Sequence, residues 1–236
     1  MGNWRLAGEL AAGKSKPRPD TWARLSAAVD IPAWLRLPEG GALSMSPRIA
    51  MAPAFVSPGI CEWLIRLGRP CLKAAQTYDP ATGGLREETG RSNSAAVLGP
   101  ERMDLVLAFV RARIARLADL PVRALEPTQV LHYEVGQEFR AHHDFFDVSH
   151  PGHAREVAEH GQRALTVLVY LNEGYAGGDT AFPAIGRSFK GRRGDALVFW
   201  NVADDGTPDP NTLHIGTAPT RGEKWLLSQW VRIRAK

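Results

Sequence analysis

The pattern of apolar and polar positions changes character near residue 121. Before it, apolar residues recur at helical spacing. Ser57-Pro58 reads as a helix start with proline in the first turn, where its missing N–H is no loss, and Ile60, Leu64, Ile65 and Leu67 form the stripe such a helix would bury. The strongest helical pattern runs from about 100 to 120. There Met103, Val106, Leu107, Val110, Ile114 and Leu117 fall three or four apart, which predicts one buried face, and Arg111, Arg113 and Arg116 are expected to face water. Residues 78–89, rich in glycine, proline, threonine and acidic side chains, read as a polar loop and a candidate mobile lid.

After Pro121 the helical period gives way to short β-rich runs at 128–135, 139–145, 165–171, 196–202 and 225–233, broken by Gly177-Gly178 and by the glycines at 191 and 194. Helices first and strands later predict an α+β protein whose helices pack on an antiparallel β-sandwich or barrel. Residues 1–45 differ in texture. A linker from Gly13 to Pro19 precedes a short helical signal with Asp20 as its cap and Trp22, Leu25 and Val29 on one face. This segment is expected to be a helical extension and linker, docking through Trp4, Trp22 and Trp34 either on a main domain that occupies 46–236 or on a partner.

Composition narrows the class. With 236 residues, 44% hydrophobic and 23% charged, the chain can bury one sizeable core, and disordered, collagen-like and coiled-coil readings fall away. The longest nearly apolar run, at 164–171, is far shorter than the roughly 18 residues a membrane span needs. Charged residues interrupt the first sixteen positions where a signal peptide would be apolar, so a cytoplasmic location is the expectation. Cys61 and Cys71 are expected to be free thiols. A formal charge of +4 with dispersed basic residues makes nucleic acid an unlikely partner.

Six of the seven histidines fall between 132 and 160. In Phe139-Arg140-Ala141-His142-His143-Asp144-Phe145, a strand would send His142 and Asp144 to one face, because side chains alternate with period two. His214, on a returning strand, could close a triangle of ligands. Two histidines and one carboxylate with open positions opposite suit non-haem Fe(II), whereas structural zinc wants four filled positions and usually cysteine. An isolated His-x-Asp also occurs by chance. His143, His150, His153 and His160 read as solvated loop or strand residues, and His132 as facing away from the side that Tyr133 lines.

The surrounding blocks carry a resemblance. Gln129 to Phe146, with its Tyr133-Glu134-Val135-Gly136 and His142-His143-Asp144, is similar to the iron-binding stretch of the prolyl 4-hydroxylase family of 2-oxoglutarate/Fe(II) dioxygenases. So are Arg163-Ala164-Leu165-Thr166-Val167-Leu168-Val169-Tyr170-Leu171, Gly177-Gly178-Asp179-Thr180-Ala181-Phe182-Pro183, Gly194-Asp195-Ala196-Leu197-Val198-Phe199, and Leu213-His214 with Lys224-Trp225 ten residues on. The resemblance runs from about 49 to 236. It implies a double-stranded β-helix (jelly-roll, cupin-like) core with helices packed on one sheet. It implies that His142, Asp144 and His214 hold Fe(II), and that Lys224 pairs with the distal carboxylate of 2-oxoglutarate. Tyr133 and Thr180, with Trp230 and Thr166 nearby and Arg232 as further lining, would serve the same cosubstrate.

The implied reaction uses O2 and 2-oxoglutarate, releases succinate and CO2, and hydroxylates an unactivated C–H, with ascorbate a candidate auxiliary reductant. Asp144 favours hydroxylation, since related halogenases leave that ligand position open for chloride. Arg91, Glu126 and Arg163 match positions lining a peptide groove, which implies a prolyl residue in a peptide or protein as substrate; the same three could instead form structural charge pairs. Asn93 and His143 depart from the family pattern. A free amino acid or other small molecule is the alternative substrate, and a non-enzymatic metal-binding β-barrel module the alternative class.

Overall fold

The computed structural model describes residues 31–88 and 90–233, and the expectations that rest on Trp4, Asp20, Trp22, Leu25 and Val29 lie outside them. The chain opens with a short helix α1 (Ile31–Leu35), then strands β1 (Gly41–Met45) and β2 (Arg48–Ala52), and helix α2 (Pro58–Gly68). Strands β3 (Lys73–Ala74), β4 (Gln76–Tyr78), β5 (Leu85–Glu87) and β6 (Ser94–Leu98) lead to helix α3 (Leu105–Ala118). Then come β7 (Thr128–Tyr133), β8 (Phe139–His142), helix α4 (Pro151–His160), β9 (Gln162–Tyr170), β10 (Ala176–Gly177), β11 (Thr180–Phe182) and β12 (Arg187–Phe189). The chain closes with β13 (Ala196–Trp200), β14 (His214–Gly216), β15 (Pro219–Arg221) and β16 (Lys224–Ile233).

One sheet has eight strands in the order β1-β2-β13-β9-β16-β7-β6-β3, and a smaller sheet, β12-β11-β14-β8, faces it; all pairings are antiparallel. This is the double-stranded β-helix. The central strand β9 reads as an unbroken apolar run because it is covered on both sides. Val167 and Val169 face α2 and α3 in one core cluster with Leu64, Leu107, Val110 and Ile114, while Leu168 and Tyr170 face the inside of the double sheet with Phe182, Phe199 and Leu226. Each fully buried leucine in these layers stabilises the fold by about 2 kcal/mol. Trp225 lies in the helix-facing cluster.

Several expectations change. Strand β1 pairs with β2 at the edge of the large sheet, so the domain's sheet begins at Gly41 and not after residue 45. Trp34 packs on Phe109 of α3, with ring centroids 5.2 Å apart. The helix expected from about 100 starts at Leu105, because the Asp104 carboxylate accepts the Leu107 N–H at 2.8 Å and caps it there. Asp119, left-handed at φ 52°, ends it.

Arg111, expected in water, is buried. Its guanidinium donates to the Leu125 and Glu126 carbonyls, the Thr128 hydroxyl and Gln229 Oε1, stitching α3 to the large sheet. Arg113 donates to the Trp34 carbonyl. Residues 151–160 form a helix that their weak apolar pattern did not reveal. The loop expected at 78–89 is mostly the β4–β5 hairpin. Its turn is held by Asp79, whose carboxylate accepts from Ala81 N, Thr82 N and the Thr82 hydroxyl. That turn docks on α4, where Gly152 N–H donates to the Pro80 carbonyl at 2.9 Å. Among the described residues no helix is long and apolar enough to cross a membrane. Cys61 and Cys71 are free.

Candidate active site

Strand pairing builds the site. In the β14–β8 ladder His214 lies opposite His142, so two imidazoles remote in sequence become cross-strand neighbours. Strand β8 ends at His142, two residues short of Asp144, so the alternation expected over 139–145 does not reach the carboxylate; a bend in the chain brings it back beside His142. His142 Nε2 lies 3.7 Å from Asp144 Oδ1, and His214 Nε2 lies 3.7 Å from Asp144 Oδ2. One ligand atom of each of the three residues lies within 4.8 Å of the others. The remaining ring nitrogens are engaged: His142 Nδ1 is 2.7 Å from the Arg140 carbonyl, and His214 Nδ1 is 2.9 Å from that of Thr212. A carbonyl only accepts, so each Nδ1 carries the proton and each Nε2 presents a lone pair to the common centre.

Electrostatics keep these donors ready. Burial, with His214 alongside, holds His142 well below the usual imidazole range. Burial pushes the Asp144 carboxyl up, but the His214 and His142 rings, Arg163 and the Thr166 hydroxyl together bring it down to about 2. Neutral imidazole and anionic carboxylate are the forms a divalent metal requires. Phe139 stacks on His142 at 3.4 Å between centroids, and Phe182 and Phe199 flank His214, fixing both rings.

Behind the triad lies an inner pocket lined by Tyr133, Thr180, His214, Lys224, Ser228 and Trp230, among others. Lys224 opens β16 opposite Tyr133, and its ammonium sits 4.9 Å from the centroid of that ring. Lys224 is fully buried, and Nζ has no hydrogen-bond partner. Burial pulls its pKa down to about 7, with Asp179 opposing and Lys190 reinforcing the shift. Gly178 allows this packing: a Cβ there would sit 2.9 Å from the Tyr175 ring and 3.2 Å from Lys224 Cδ, and its φ of +71° suits only glycine. A buried cation without a partner is costly unless an anion meets it, so Lys224 fits the distal carboxylate of a dicarboxylate whose other end reaches the triad. The alternation on β16 places Lys224, Leu226, Ser228 and Trp230 together on this lining.

Outside the triad an open cleft of about 340 Å³ runs between the β4–β5 hairpin, α4 and the end of β8. Arg91, Phe139, His142, Asp144 and Trp230 line both spaces and so join them. Arg91 is held by Asn93 Oδ1 and the Gln76 carbonyl while its Nη2 has no partner, so the departure at Asn93 serves to orient this arginine. His143 lines the cleft with Nε2 3.0 Å from the Pro210 carbonyl, and His153, on α4, lines it too.

Glu126 and Arg163 also line the cleft, but they are occupied with each other. Glu126 accepts two bonds from Arg163, at 2.6 and 2.8 Å, and one from Arg232 at 2.6 Å. Arg232, expected beside Trp230 on the lining, is diverted by a register shift between Val231 and Arg232 to Glu126 and Glu156. Thr166 does not line the inner pocket; its hydroxyl donates to Asp144 Oδ2 at 2.7 Å. His132 turns to the other side of the sheet, bonding Glu223 at 2.7 Å while Tyr133 faces the pocket. Sequence alone offered no signal for Asn201, whose amide donates to Thr166.

A two-histidine, one-carboxylate triad within a double-stranded β-helix, with a buried lysine behind it, defines a 2-oxoglutarate-dependent Fe(II) oxygenase. Residues 128–232 match the 2OG-Fe(II) oxygenase superfamily. Among similar proteins are two from Arabidopsis thaliana. Probable prolyl 4-hydroxylase 10 is 33% identical over 210 residues, covering 81% of this chain and 71% of the relative, and prolyl 4-hydroxylase 1 is 33% identical over 207 residues, covering 82% and 71%. Among solved structures, the viral collagen prolyl hydroxylase of Paramecium Bursaria Chlorella virus-1 in its 2-oxoglutarate complex superposes with a TM-score of 0.58 at 25% identity, over 78% of this chain and 95% of that one. A Pseudomonas putida prolyl-4-hydroxylase shares the fold with a TM-score of 0.54 at 20% identity, over 79% and 92%. The chain belongs to the prolyl 4-hydroxylase family.

Proposed function

We propose that this dioxygenase hydroxylates prolyl residues within a peptide or protein, consuming 2-oxoglutarate and O2 and releasing succinate and CO2. The observation that carries the reading is the unpartnered ammonium of Lys224 in the same pocket as the His142, Asp144 and His214 donors. Fe(II) held by those three would, with 2-oxoglutarate and O2, supply the oxidising power for C–H hydroxylation. Lys224 would take the distal carboxylate, with Tyr133, Thr180 and Trp230 shaping the pocket around it. Apolar walls keep water from screening that ion pair.

The open cleft favours a chain over a free amino acid: it extends past the triad between Tyr78, Phe146 and Trp230, over whose rings the Arg163 guanidinium is stacked, and so leaves room for residues flanking a proline. Arg91, with one unpaired guanidinium nitrogen, would donate to a substrate carbonyl. Glu126 and Arg163 would act as a rigid charged wall and not as direct ligands. The test is succinate release by the Fe(II)-loaded protein with a proline-rich peptide, with mass spectrometry for a gain of one oxygen on proline. Turnover stimulated by free proline or another small metabolite, and not by the peptide, would overturn the substrate assignment; no succinate release under any of these conditions would overturn the reaction.

A further inference from the structure

We infer that Thr166 and Asn201 form a directional hydrogen-bond relay that positions Asp144 for metal binding. The inference rests on Asp144 being a metal ligand, as proposed above. Both side chains are fully buried, Thr166 in the middle of β9 and Asn201 just beyond the end of β13. The Thr166 hydroxyl lies 2.7 Å from Asp144 Oδ2, and Asn201 Nδ2 lies 2.9 Å from the same hydroxyl oxygen.

Proton inventory sets the direction. An ionised carboxylate only accepts, so the single hydroxyl proton of Thr166 must go to Asp144. The threonine oxygen is then left as an acceptor, and the Asn201 amide must present its NH2 there. Reversing the amide would aim its carbonyl oxygen at a hydroxyl whose proton is already committed. The amide carbonyl is the end left over, and Asn201 Oδ1 is indeed buried with no partner.

The relay matters because Asp144 lacks the support its partners have. His142 and His214 stand on paired strands and are each tied by Nδ1 to a backbone carbonyl. Asp144 lies beyond the end of β8, in a bend, where no ladder fixes its torsions. Thr166 comes from β9, a buried strand of the large sheet whose backbone is paired on both sides, and Asn201 is tied there too, its N–H donating to the Ala164 carbonyl. The relay thus transfers the rigidity of the large sheet to the one ligand that no strand carries. Groups bonded to metal ligands in this way commonly change metal affinity by 10–100-fold when removed.

The experiment is calorimetric titration of the metal-free protein with Mn(II) and Co(II), without cosubstrate, together with the thermal midpoint of each metal-free variant. Thr166→Val, which replaces the hydroxyl by a methyl, should weaken metal binding about 10–100-fold, and Thr166→Ser, which restores the donor, should bring it to within about threefold of wild type. Asn201→Ala, which leaves the Thr166–Asp144 bond but frees the hydroxyl to rotate, should fall between them and decides the matter if Thr166→Val does not fold. Wild-type metal affinity in Thr166→Val or Asn201→Ala, or failure of Thr166→Ser to recover it, overturns the relay even if the thermal midpoints drop. Asp144→Ala is the separating arm. If it too keeps wild-type affinity, the ligand assignment fails; if it loses binding while Thr166→Val does not, only the relay fails.

Discussion

Lys224→Met removes the ammonium and keeps the length and volume of the side chain, so it separates the two consequences of burying a cation for a ligand. Free lysine titrates at 10.5 and this one at about 7, so below pH 10.5 the unfolded chain holds a proton that the folded chain holds only weakly. Each pH unit of that gap corresponds to about 1.4 kcal/mol, and without a bound dicarboxylate Lys224 therefore destabilises the fold by up to about 4 kcal/mol at pH 7. Because the folded value is depressed, the unfolded state binds more protons between pH 7 and 10.5, and wild-type stability must rise with pH across that window. Lys224→Met escapes the penalty. It should exceed wild type by up to about 4 kcal/mol at pH 7 and by only about 1 kcal/mol at pH 9.5. The assay is urea unfolding of both metal-free proteins at the two pH values, with 2-oxoglutarate titrated into the Mn(II)-loaded forms. The variant should bind 2-oxoglutarate far more weakly. Equal stability of the two proteins at pH 7 would refute the buried-cation argument, and unchanged 2-oxoglutarate affinity would remove Lys224 from the cosubstrate site.

The same depressed value makes cosubstrate binding pH-dependent: pairing with a carboxylate needs the ammonium, so affinity should fall by up to about tenfold per pH unit above pH 7, with proton uptake visible by calorimetry in buffers of different ionisation enthalpy. A flat profile from pH 7 to 9 would contradict this. His142→Ala and His214→Ala should each abolish Mn(II) binding and metal-dependent turnover while the circular dichroism spectrum is unchanged; a variant that still binds metal at wild-type affinity would strike that residue from the triad. Glu126→Gln leaves the buried Arg163 and Arg232 without their shared carboxylate and should lower stability by about 3–5 kcal/mol at pH 7, measured by urea unfolding. Arg163 and Arg232 outweigh burial and hold the Glu126 carboxyl below its ordinary value, so this stabilisation is complete above about pH 5 and is lost as pH falls through the folded value. Gly152→Ala would place a Cβ 2.4 Å from Gly83 N and 2.7 Å from the Pro80 carbonyl, and should lift the β4–β5 hairpin off α4. Faster amide exchange over 76–87 and a higher peptide KM at unchanged metal affinity would show it, and exchange like wild type would count against the contact.

What the sequence by itself determined is local and periodic. The helical stripe of α3, the apolar run of β9 and the side-by-side ordering of Lys224, Leu226, Ser228 and Trp230 follow from side-chain period, the His-x-Asp follows from local spacing, and the distant histidine and lysine are legible through the resemblance to the family. What only the tertiary structure decided is where charges end. Arg111 looks solvated on a helical wheel, but a long guanidinium can cross its own helix's edge to carbonyls of other segments, and no periodicity encodes that. Arg232 follows the β16 alternation until a bulge turns it to Glu126, and Thr166, two residues before the pocket-lining Leu168 on β9, is engaged by Asp144 and does not line the cosubstrate pocket. Nor could spacing show that His142 and Asp144 meet across a bend rather than along a strand. Period describes which way a side chain leaves its own backbone; the partner that satisfies a buried polar group arrives from a different element, and only the folded chain brings the two together.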